Sequence, residues 1–367
     1  MKIISYVLCV LFFLIAVDTN TALPRFAVKL GDRCIDCHYN PSGGIIRSEN
    51  GWHWGKNVLS MISTPDKDFI MSPRIADNIH IGLDFRSQYL YSQEKKRTDF
   101  QNMSGSIYSN FALSKEINVI AKYDFVNRIW EGYGVAHILP NKSYIKAGAF
   151  VPNYGLRMDD HTAYTRGGDF GLLFSQGTYR GLIYNPFYTE AGVELGFYAD
   201  KFLYASASIG SNNVSPARPL SKDPTFTSRI ELTHKFSSVA LMLGVSYSSA
   251  KVPDKVNMFG GFAGIGFDEF SVLAEYDIAE NLLLAETKTS VMMIEASYGI
   301  LTGLDAVIRY DRIDLNINLS SDESSRFVIG FEFQPYSFIE LRPQYRLQIE
   351  NPSVDNDSFV MQFHFWY

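Results

Sequence analysis

The sequence predicts an all-β protein: an antiparallel transmembrane β-barrel of 16 or 18 strands that follows a short, partly helical N-terminal segment. Three observations lead to this prediction. From residue 78 to the end of the chain, apolar and polar residues alternate with a period of two. The alternating runs are about 10 to 12 residues long, the length that a tilted strand needs to cross a bilayer. Short connections also alternate with long ones, as in outer-membrane barrels.

Composition supports a large β-protein and argues against two other classes. The 367 residues include 27 Phe and 22 Tyr, which favour strands and form the interface girdles of outer-membrane barrels. The net charge of −6 argues against nucleic acid as a partner, because nucleic-acid-binding proteins normally carry a basic surplus. A mean hydropathy close to zero, with only one long apolar run, argues against a helical membrane protein.

The first 22 residues have the pattern of a secretory signal peptide. Lys2 is followed by apolar residues from Ile3 to Val17, and then by small or polar residues up to Ala22, which is the order found in such signals. A retained membrane anchor is the alternative, although the apolar run is short for a span. We therefore divide the chain into a signal peptide (1–22), a plug segment (23–77) and the barrel (78–367).

Two cysteines remain once the signal peptide, with Cys9, is removed. They lie in Cys34-Ile35-Asp36-Cys37-His38, which is the C-x-x-C-H pattern of covalent haem attachment. Two thiols at this spacing reach both haem vinyl groups, and the adjacent imidazole binds the iron. The pattern predicts one haem c attached through Cys34 and Cys37, with His38 as its proximal axial ligand.

Three other interpretations of these residues are open. A disulfide between Cys34 and Cys37 would be strained, because it closes across only two residues. A zinc site could use Cys34, Cys37, His38 and His53. A thioredoxin-like redox pair would need a surrounding βαβ pattern, which the sequence lacks.

The sixth coordination position of the haem iron has several candidates. His53, which lies between two tryptophans, is the stronger; Met61 is weaker, and Met71 is a third. A methionine ligand would raise the reduction potential relative to a second histidine. His53 could instead pack the plug segment against the barrel wall, and the sixth position could stay empty.

The plug segment has too few apolar residues to stand alone. It contains Gly43-Gly44, the run Trp52-His53-Trp54-Gly55, and a short helix predicted through residues 59–61. About 50 residues cannot easily enclose a haem without help. We therefore expect this segment to pack within the barrel, which would serve as its wall.

The barrel runs place apolar residues on one face and charged residues on the other. In Ile79–Tyr91 the apolar residues occupy odd positions, and in Phe338–Ile349 the even positions include Glu340, Arg342 and Arg346. Charged side chains on one face suit a barrel with lipid outside and water inside. The last run has the pattern of an outer-membrane assembly signal: Phe359, Met361, Phe363, Phe365 and Tyr367 alternate, and the final residue is aromatic.

Connection lengths predict the two ends of the barrel. Short turns are predicted near residues 114–116, 140–142, 200–201, 236–238, 267–268, 300–303 and 335–337, and longer loops near 92–101, 152–168, 211–224, 280–288, 316–324 and 350–356. The pattern between Asp169 and Pro186 is ambiguous, so the strand count is 16 or 18. Either even count places both termini on one side, which in outer-membrane barrels is the periplasm.

The start of the mature chain, Leu23–Ala27 with Gly31–His38, followed by a porin-like barrel, resembles the fused monohaem cytochrome–porins of the bacterial outer membrane. The best known of these are proposed to take electrons from extracellular ferrous iron. The resemblance implies electron transfer between an extracellular small redox donor or acceptor, such as Fe(II), and a periplasmic electron carrier, with outer-membrane lipid around the barrel. Residues 39–44 differ from the pattern of the iron-oxidising members.

Two other functions stay open. One is a porin in which the haem segment acts as a gate or sensor, and the other is an enzyme, such as a haem-dependent peroxide reductase, which needs an open sixth iron position. No Ser/His/Asp set, phosphate loop or carboxylate pair stands out, so we expect an electron carrier more than a dedicated enzyme. Asp159-Asp160-His161, in the first long loop, could capture a metal cation or fold inward with internal hydrogen bonds.

Overall fold

The protein is described by a computed structural model. It describes residues 24–30, 33–64, 72–158, 160, 162–168, 181–185, 188–200, 202–211, 223–251, 255–282, 284–320, 322–350, 353 and 355–367. The signal peptide therefore lies outside the described residues.

Sixteen strands of the described residues form a closed antiparallel barrel, and a three-residue strand, β1 (Arg74–Ala76), pairs with the first of them. The barrel strands are β2 (Ile79–Ser92), β3 (Arg97–Ala112), β4 (Ile117–Asp124), β5 (Ile129–Ala136), β6 (Tyr144–Phe150), β7 (Glu190–Tyr198), β8 (Leu203–Ser211), β9 (Thr225–Phe236), β10 (Val239–Lys251), β11 (Lys255–Phe267), β12 (Phe270–Glu280), β13 (Lys288–Leu301), β14 (Leu304–Asp314), β15 (Glu323–Tyr336), β16 (Ile339–Glu350) and β17 (Ser358–Trp366).

The pairing of strands settles the count at 16. The last strand, β17, pairs with β2 in the register Phe365↔Phe85 and closes the barrel. The ambiguous stretch 169–186 lies largely outside the described residues, but β6 pairs directly with β7 up to Phe150↔Glu190. No further strand can therefore stand between these two, and the count of 18 is wrong.

Side chains alternate between the lumen and the outer surface as the sequence predicts. In β2, Asp84 and Arg86 are buried inside, whereas Leu83 is 47% exposed on the outside. In β16, Glu340 and Arg346 are likewise buried. The pleat of a strand sends successive side chains to opposite faces, so the period-two pattern gives a charged lumen and an apolar outer wall.

The two ends of the barrel differ in their connections. At one end, called the short-turn end below, the seven turns are two to seven residues long, and β2 begins and β17 ends there. The opposite, long-loop end carries the long connection from β6 to β7. The loop predicted at 92–101 is wrong: its second half belongs to β3, because Gln101 pairs with Gln88. The sequence does not predict the turn at 125–128 or the short connection between β10 and β11.

Among the described residues, three helices precede the barrel: α1 (Pro24–Leu30), α2 (Cys34–Cys37) and α3 (Glu49–Asn57). The helix predicted through residues 59–61 is wrong, because α3 ends before it. The Ser60 hydroxyl donates to the Lys56 carbonyl (2.9 Å), and the Met61 nitrogen donates to the Gln334 carbonyl (2.9 Å), so this stretch is bonded to the helix end and the barrel rim. In the described part of the chain, no helix is long and apolar enough to cross a bilayer.

Candidate functional site

Helix α1 fixes the start of the plug segment to the inner wall of the barrel. Val28 is fully buried, and its backbone packs on β11 at Gly266. A methyl group added at Gly266 would lie 2.4 Å from the Val28 carbonyl oxygen, so a larger residue would push the helix away. Arg25 strengthens the contact by donating to Glu332 on β15 (2.7 Å). The chain therefore enters the site from a fixed point on the wall.

The residues of the C-x-x-C-H pattern form one helical turn inside the lumen. The backbone nitrogen of His38 donates to the Cys34 carbonyl (2.9 Å) at the end of α2. His38 then continues in extended conformation and pairs with Arg47 in an antiparallel bridge. The Ser48 nitrogen donates to the Cys37 carbonyl (2.9 Å). These bonds hold Cys34, Cys37 and His38 as one group, in which Cys37 and His38 are buried.

A tight loop returns the chain from His38 to Arg47. The Ser42 hydroxyl donates to the Asn40 side chain (2.9 Å), and Gly43 and Gly44 have φ angles of 80° and 98°. This backbone region favours glycine, because a side chain would be strained there. The Gly43-Gly44 pair of the sequence is thus explained by the turn that follows the motif.

Helix α3 packs closely between the motif and the last strand of the barrel. It does so through Gly51 and Gly55, which lie four residues apart on one helix face. A methyl group at Gly51 would lie 2.2 Å from the Cys37 carbonyl oxygen, and one at Gly55 would lie 1.5 Å from the Trp366 ring. Sequence reasoning missed this role, although two glycines at helical spacing beside two tryptophans were a signal for it.

Two cavities meet at His38. The larger, with a volume of about 170 Å³ and open to the lumen, is lined by Cys34 and His38 together with residues of the loop that follows β6. The smaller, of about 60 Å³, is lined by Cys37 and His38 on one side and by β15–β17 on the other. The predicted proximal ligand therefore faces open space on both sides of the motif.

The candidates for the sixth ligand lie away from these cavities. His53 is exposed on α3, and its ring lies 3.1 Å from the side-chain nitrogen of Asn57. Met61 is 43% exposed at the short-turn end, and Met71 lies outside the described residues. Of the two that the structure describes, neither lines either cavity.

Ion pairs link the motif to the last strand. Arg47 lies 3.4 Å from Asp84, Asp84 lies 3.1 Å from Nε2 of His364, and Nδ1 of His364 lies 2.7 Å from Glu340. Alternation along β17 predicts the inward direction of His364. Its connection to the plug segment through Asp84 and Arg47 depends on three distant parts of the chain, and the sequence does not show it.

The connection from β6 to β7, residues 151–189, is called the inner loop below, and its described residues fold into the lumen. Its described aromatic and apolar residues are mostly buried: Tyr154, Leu156, Tyr164, Leu182, Ile183, Tyr184 and Tyr188. It covers the larger cavity on the side opposite the plug segment. A loop that avoids water needs partners for its backbone, and the barrel wall supplies them.

Charged groups of the wall hold the inner loop. Asp160 accepts from Arg309 (2.9 Å), and Arg326 donates to the Thr162 carbonyl (2.6 Å). Burial alone would raise the pKa of the Asp160 carboxyl, but the guanidinium groups of Arg309 and Arg346 hold this pKa well below its usual range. This is the inward-folded alternative for Asp159-Asp160-His161; Asp159 and His161 lie outside the described residues.

The donor set of the motif fits covalent haem attachment. Among the described residues, neither Cys34 nor Cys37 takes part in a disulfide, and Cys34 and His38 line the same cavity. Burial, followed by the Glu231 charge, raises the pKa of the Cys34 thiol to about 11, so this thiol is protonated at neutral pH. The described residues contain no group of three or more His, Cys, Asp or Glu side chains placed to hold a metal ion, so the alternative zinc set is not assembled.

Comparison with solved structures identifies the barrel type. OprB of Pseudomonas putida superposes with a TM-score of 0.59 at 10% identity, over 79% of this chain and 94% of that one. OmpF of Salmonella typhi in complex with daunomycin gives 0.55 at 11% identity, over 79% and 98%. The channel DcaP of Acinetobacter baumannii gives 0.53 at 12% identity, over 79% and 97%.

The chain has the fold of an outer-membrane porin. No family model matches its sequence, and no curated protein matches it. At these identities the likeness concerns the barrel alone, and the role of the plug segment follows from the residues described above.

Proposed function

We propose that this protein is a bacterial outer-membrane barrel that carries one covalent haem c inside its lumen. It transfers electrons between a periplasmic electron carrier and a small redox donor or acceptor outside, such as Fe(II). The observation that supports this function is the position of the C-x-x-C-H motif, which lies within the barrel beside a cavity that Cys34 and His38 both line. In this proposal the short-turn end, with both termini, faces the periplasm.

The residues of the motif would hold different parts of the haem. Cys34 and Cys37 would form the thioether bonds, and His38 would bind the iron. The haem supplies a reversible one-electron redox centre when bound. The backbone bridge between His38 and Arg47 restrains the imidazole, and the close contact of Gly51 with the Cys37 carbonyl fixes the attachment turn against α3.

A position inside the lumen suits transfer across the membrane. The apolar band of an outer-membrane barrel is about 25 Å tall, so a redox group hanging below one mouth would serve only one side. The larger cavity lies between the plug segment and the inner loop, where a solute from the long-loop end can approach. The exposed face of α3, which includes His53, is open to a carrier at the other end.

Attachment is tested by the mass of the mature protein. Produced in a host with cytochrome c maturation, the protein should be heavier by one haem, and a Cys34→Ala, Cys37→Ala double variant should lose this gain. Ser63→Ala, at an exposed site of the same segment, is the matched control. Underivatised thiols or bound zinc in the mature protein would refute the haem assignment.

Electron transfer is tested in liposomes that contain the purified protein. External ferrous iron should reduce an enclosed, membrane-impermeant acceptor, and His38→Ala should abolish this flux while the barrel stays folded. Absorption spectra of His53→Ala and Met61→Leu then assign the sixth ligand, because loss of either true ligand changes the spin state of the iron. Flux that persists in the haem-free protein would show a passive pore.

A gated porin is the second candidate, and a specific observation favours it. The plug segment and the inner loop both occupy the lumen, so the open cross-section depends on their positions. If the haem acts as a gate, channel conductance should change with its redox state while no electrons reach the enclosed acceptor.

A further inference from the structure

The larger cavity contains carboxylates that already have partners. Of the described residues that line it, Asp84, Asp124 and Glu131 are acidic. Asp84 pairs with Arg47, Glu131 pairs with Lys122, and Asp124 accepts from backbone nitrogens of the turn that follows β4 (2.9 and 3.0 Å). Each of these acids therefore already has hydrogen-bond or ion-pair partners, and within the described residues none of them forms an ion pair with Arg157 or Arg166.

Arg166 of the inner loop is a buried cation that has no carboxylate partner among the described residues. Its side chain lines the cavity, and the residue is only 8% exposed. Nη1 donates to the Thr165 carbonyl (3.0 Å), whereas Nη2 is buried and has no acceptor among the described residues. Burying a guanidinium nitrogen without an acceptor costs free energy, unless a bound ligand accepts its hydrogen bond.

The described acidic residues of the neighbouring wall do not form hydrogen bonds or ion pairs with the Arg166 guanidinium. Glu275 and Asp277 act on it electrostatically, but Glu275 accepts from an inner-loop backbone nitrogen (3.0 Å) and Asp277 from an inner-loop tyrosine (2.8 Å). Neither forms an ion pair with Arg166 within the described part of the chain. Burial, the largest influence, lowers the pKa of Arg166 from its ordinary value, and the like charge of Arg157 lowers it further.

Arg157 brings a second guanidinium to the same cavity. Its Nη1 donates to the backbone carbonyl and the hydroxyl of Ser42 (3.2 and 3.0 Å), which are neutral acceptors beside the haem motif. Within the described residues it has no carboxylate at ion-pair distance. Arg157 also acts electrostatically on Cys34, so this charge lies between the attachment turn and Arg166.

We propose that Arg157 and Arg166 form a carboxylate-binding pair in the cavity beside Cys34 and His38. Planar guanidinium groups bind carboxylates through paired hydrogen bonds. The carboxylate comes from one of two sources: the propionates of the haem, in which case the inference rests on the proposed function, or a carboxylate-bearing solute that enters from the long-loop end. A carboxylate from either source would bind the same two guanidinium groups.

The first arm of the test uses the full chain without haem. The barrel, produced without haem maturation and folded in detergent, is titrated with succinate by calorimetry. Arg157→Gln and Arg166→Gln should each weaken binding about tenfold or more, as expected for loss of a charge-assisted bond. Arg312→Gln, at an outward position near the long-loop end, is the matched control and should leave binding unchanged.

The second arm uses the haem-loaded protein and its midpoint potential across pH. If the propionates are the source, Arg157→Gln and Arg166→Gln should lower the potential, because a nearby cation is lost. They should also make the potential more dependent on pH, because the propionates protonate more easily. Arg166→Lys keeps the charge, so its midpoint potential should be close to that of the unsubstituted protein. It also provides a second variant at this position if Arg166→Gln does not fold.

The two arms separate the sources and the proposals. Succinate binding that requires both arginines assigns a free solute, and potential shifts without succinate binding assign the propionates. If no haem attaches, the first arm still decides the carboxylate site while the proposed function fails. If haem attaches and neither arm responds to either variant, the arginine pair is refuted and the proposed function stands.

Discussion

The plug segment and the inner loop share one lumen but are held there by different means. The described part of the plug segment contains three short helices, and it packs closely at three glycines: Gly51 on Cys37, Gly55 on Trp366, and Gly266 of the wall on α1. The described residues of the inner loop are mostly irregular and are bonded to charged and hydroxyl side chains of the wall. A helix forms its own backbone hydrogen bonds and can pack by shape. An irregular segment needs hydrogen-bond partners from other parts of the protein.

This difference explains the composition of the lumen. Opposite the inner loop, the wall carries buried charges such as Asp277, Arg309 and Arg326, which serve as hydrogen-bond partners for loop atoms. Opposite α1, the wall carries Gly264 and Gly266 beside Glu332, the partner of Arg25. The plug segment and the inner loop therefore occupy the lumen. The wall carries charged partners where it contacts the irregular loop and glycines where it contacts a helix.

The largest effect is expected from Arg309→Met. The substitution leaves the Asp160 carboxyl buried without its closest cation, and breaking a buried ion pair costs about 3–5 kcal/mol. We expect the inner loop to leave its position while the barrel stays closed, which raises single-channel conductance and exposes the loop to protease. Lys251→Gln, which removes an exposed pair with Asp223, is the control; equal conductance in both variants would contradict the prediction.

A smaller effect is expected from Gly51→Val in the plug segment. The new side chain meets the Cys37 carbonyl, and overpacking of this kind costs about 1–3 kcal/mol. In limited proteolysis the plug segment should be cut faster, and haem incorporation should fall. Single-channel conductance, which reports the position of the inner loop, should be unaffected. Gly134→Ala is the control, because a methyl group there meets its nearest atom at 3.9 Å. Normal protease resistance in Gly51→Val would show that α3 can shift without loss.

The pH dependence of the inner loop follows from Asp160. Its pKa is lower in the folded protein than in the unfolded chain, so its ion pairs stabilise the loop above the unfolded value of about 3.9. This stability is lost as pH falls through the still lower folded pKa. Conductance should therefore be constant from pH 5 to 8 and rise only in stronger acid; an opening transition near pH 6 would assign the anchor to another group.

The smallest effect is expected from Arg312→Gln. Arg312 pairs with Glu323 and Asp314 near the long-loop end, and its side chain is 34% exposed. Exposed pairs contribute about 0–1 kcal/mol, so urea unfolding in detergent should shift little. A loss comparable to that of Arg309→Met would mean that rim pairs, and not only buried ones, hold the barrel and its loop.

Much of the site could be placed from the sequence because the signals are local. The C-x-x-C-H spacing predicts the attachment residues, and alternation predicts that Arg342 and His364 face the lumen. The sequence could not show that His53 lines neither cavity, because the direction of a side chain on a short helix depends on which face packs. Gly51 and Gly55 decide that face, and their partners lie in distant parts of the chain.

The sequence by itself determined the barrel, its inner and outer faces, its short turns and the presence of the motif, since each depends on neighbours along one strand or turn. The tertiary structure alone decided that the described residues of the inner loop turn inward, that Arg157 and Arg166 line one cavity with Cys34 and His38, and that Arg47, Asp84 and His364 form one chain of contacts. The physical reason is the range of the interaction. A strand fixes its faces every second residue through its own pleat, whereas buried charges select partners by position in space after the barrel has closed.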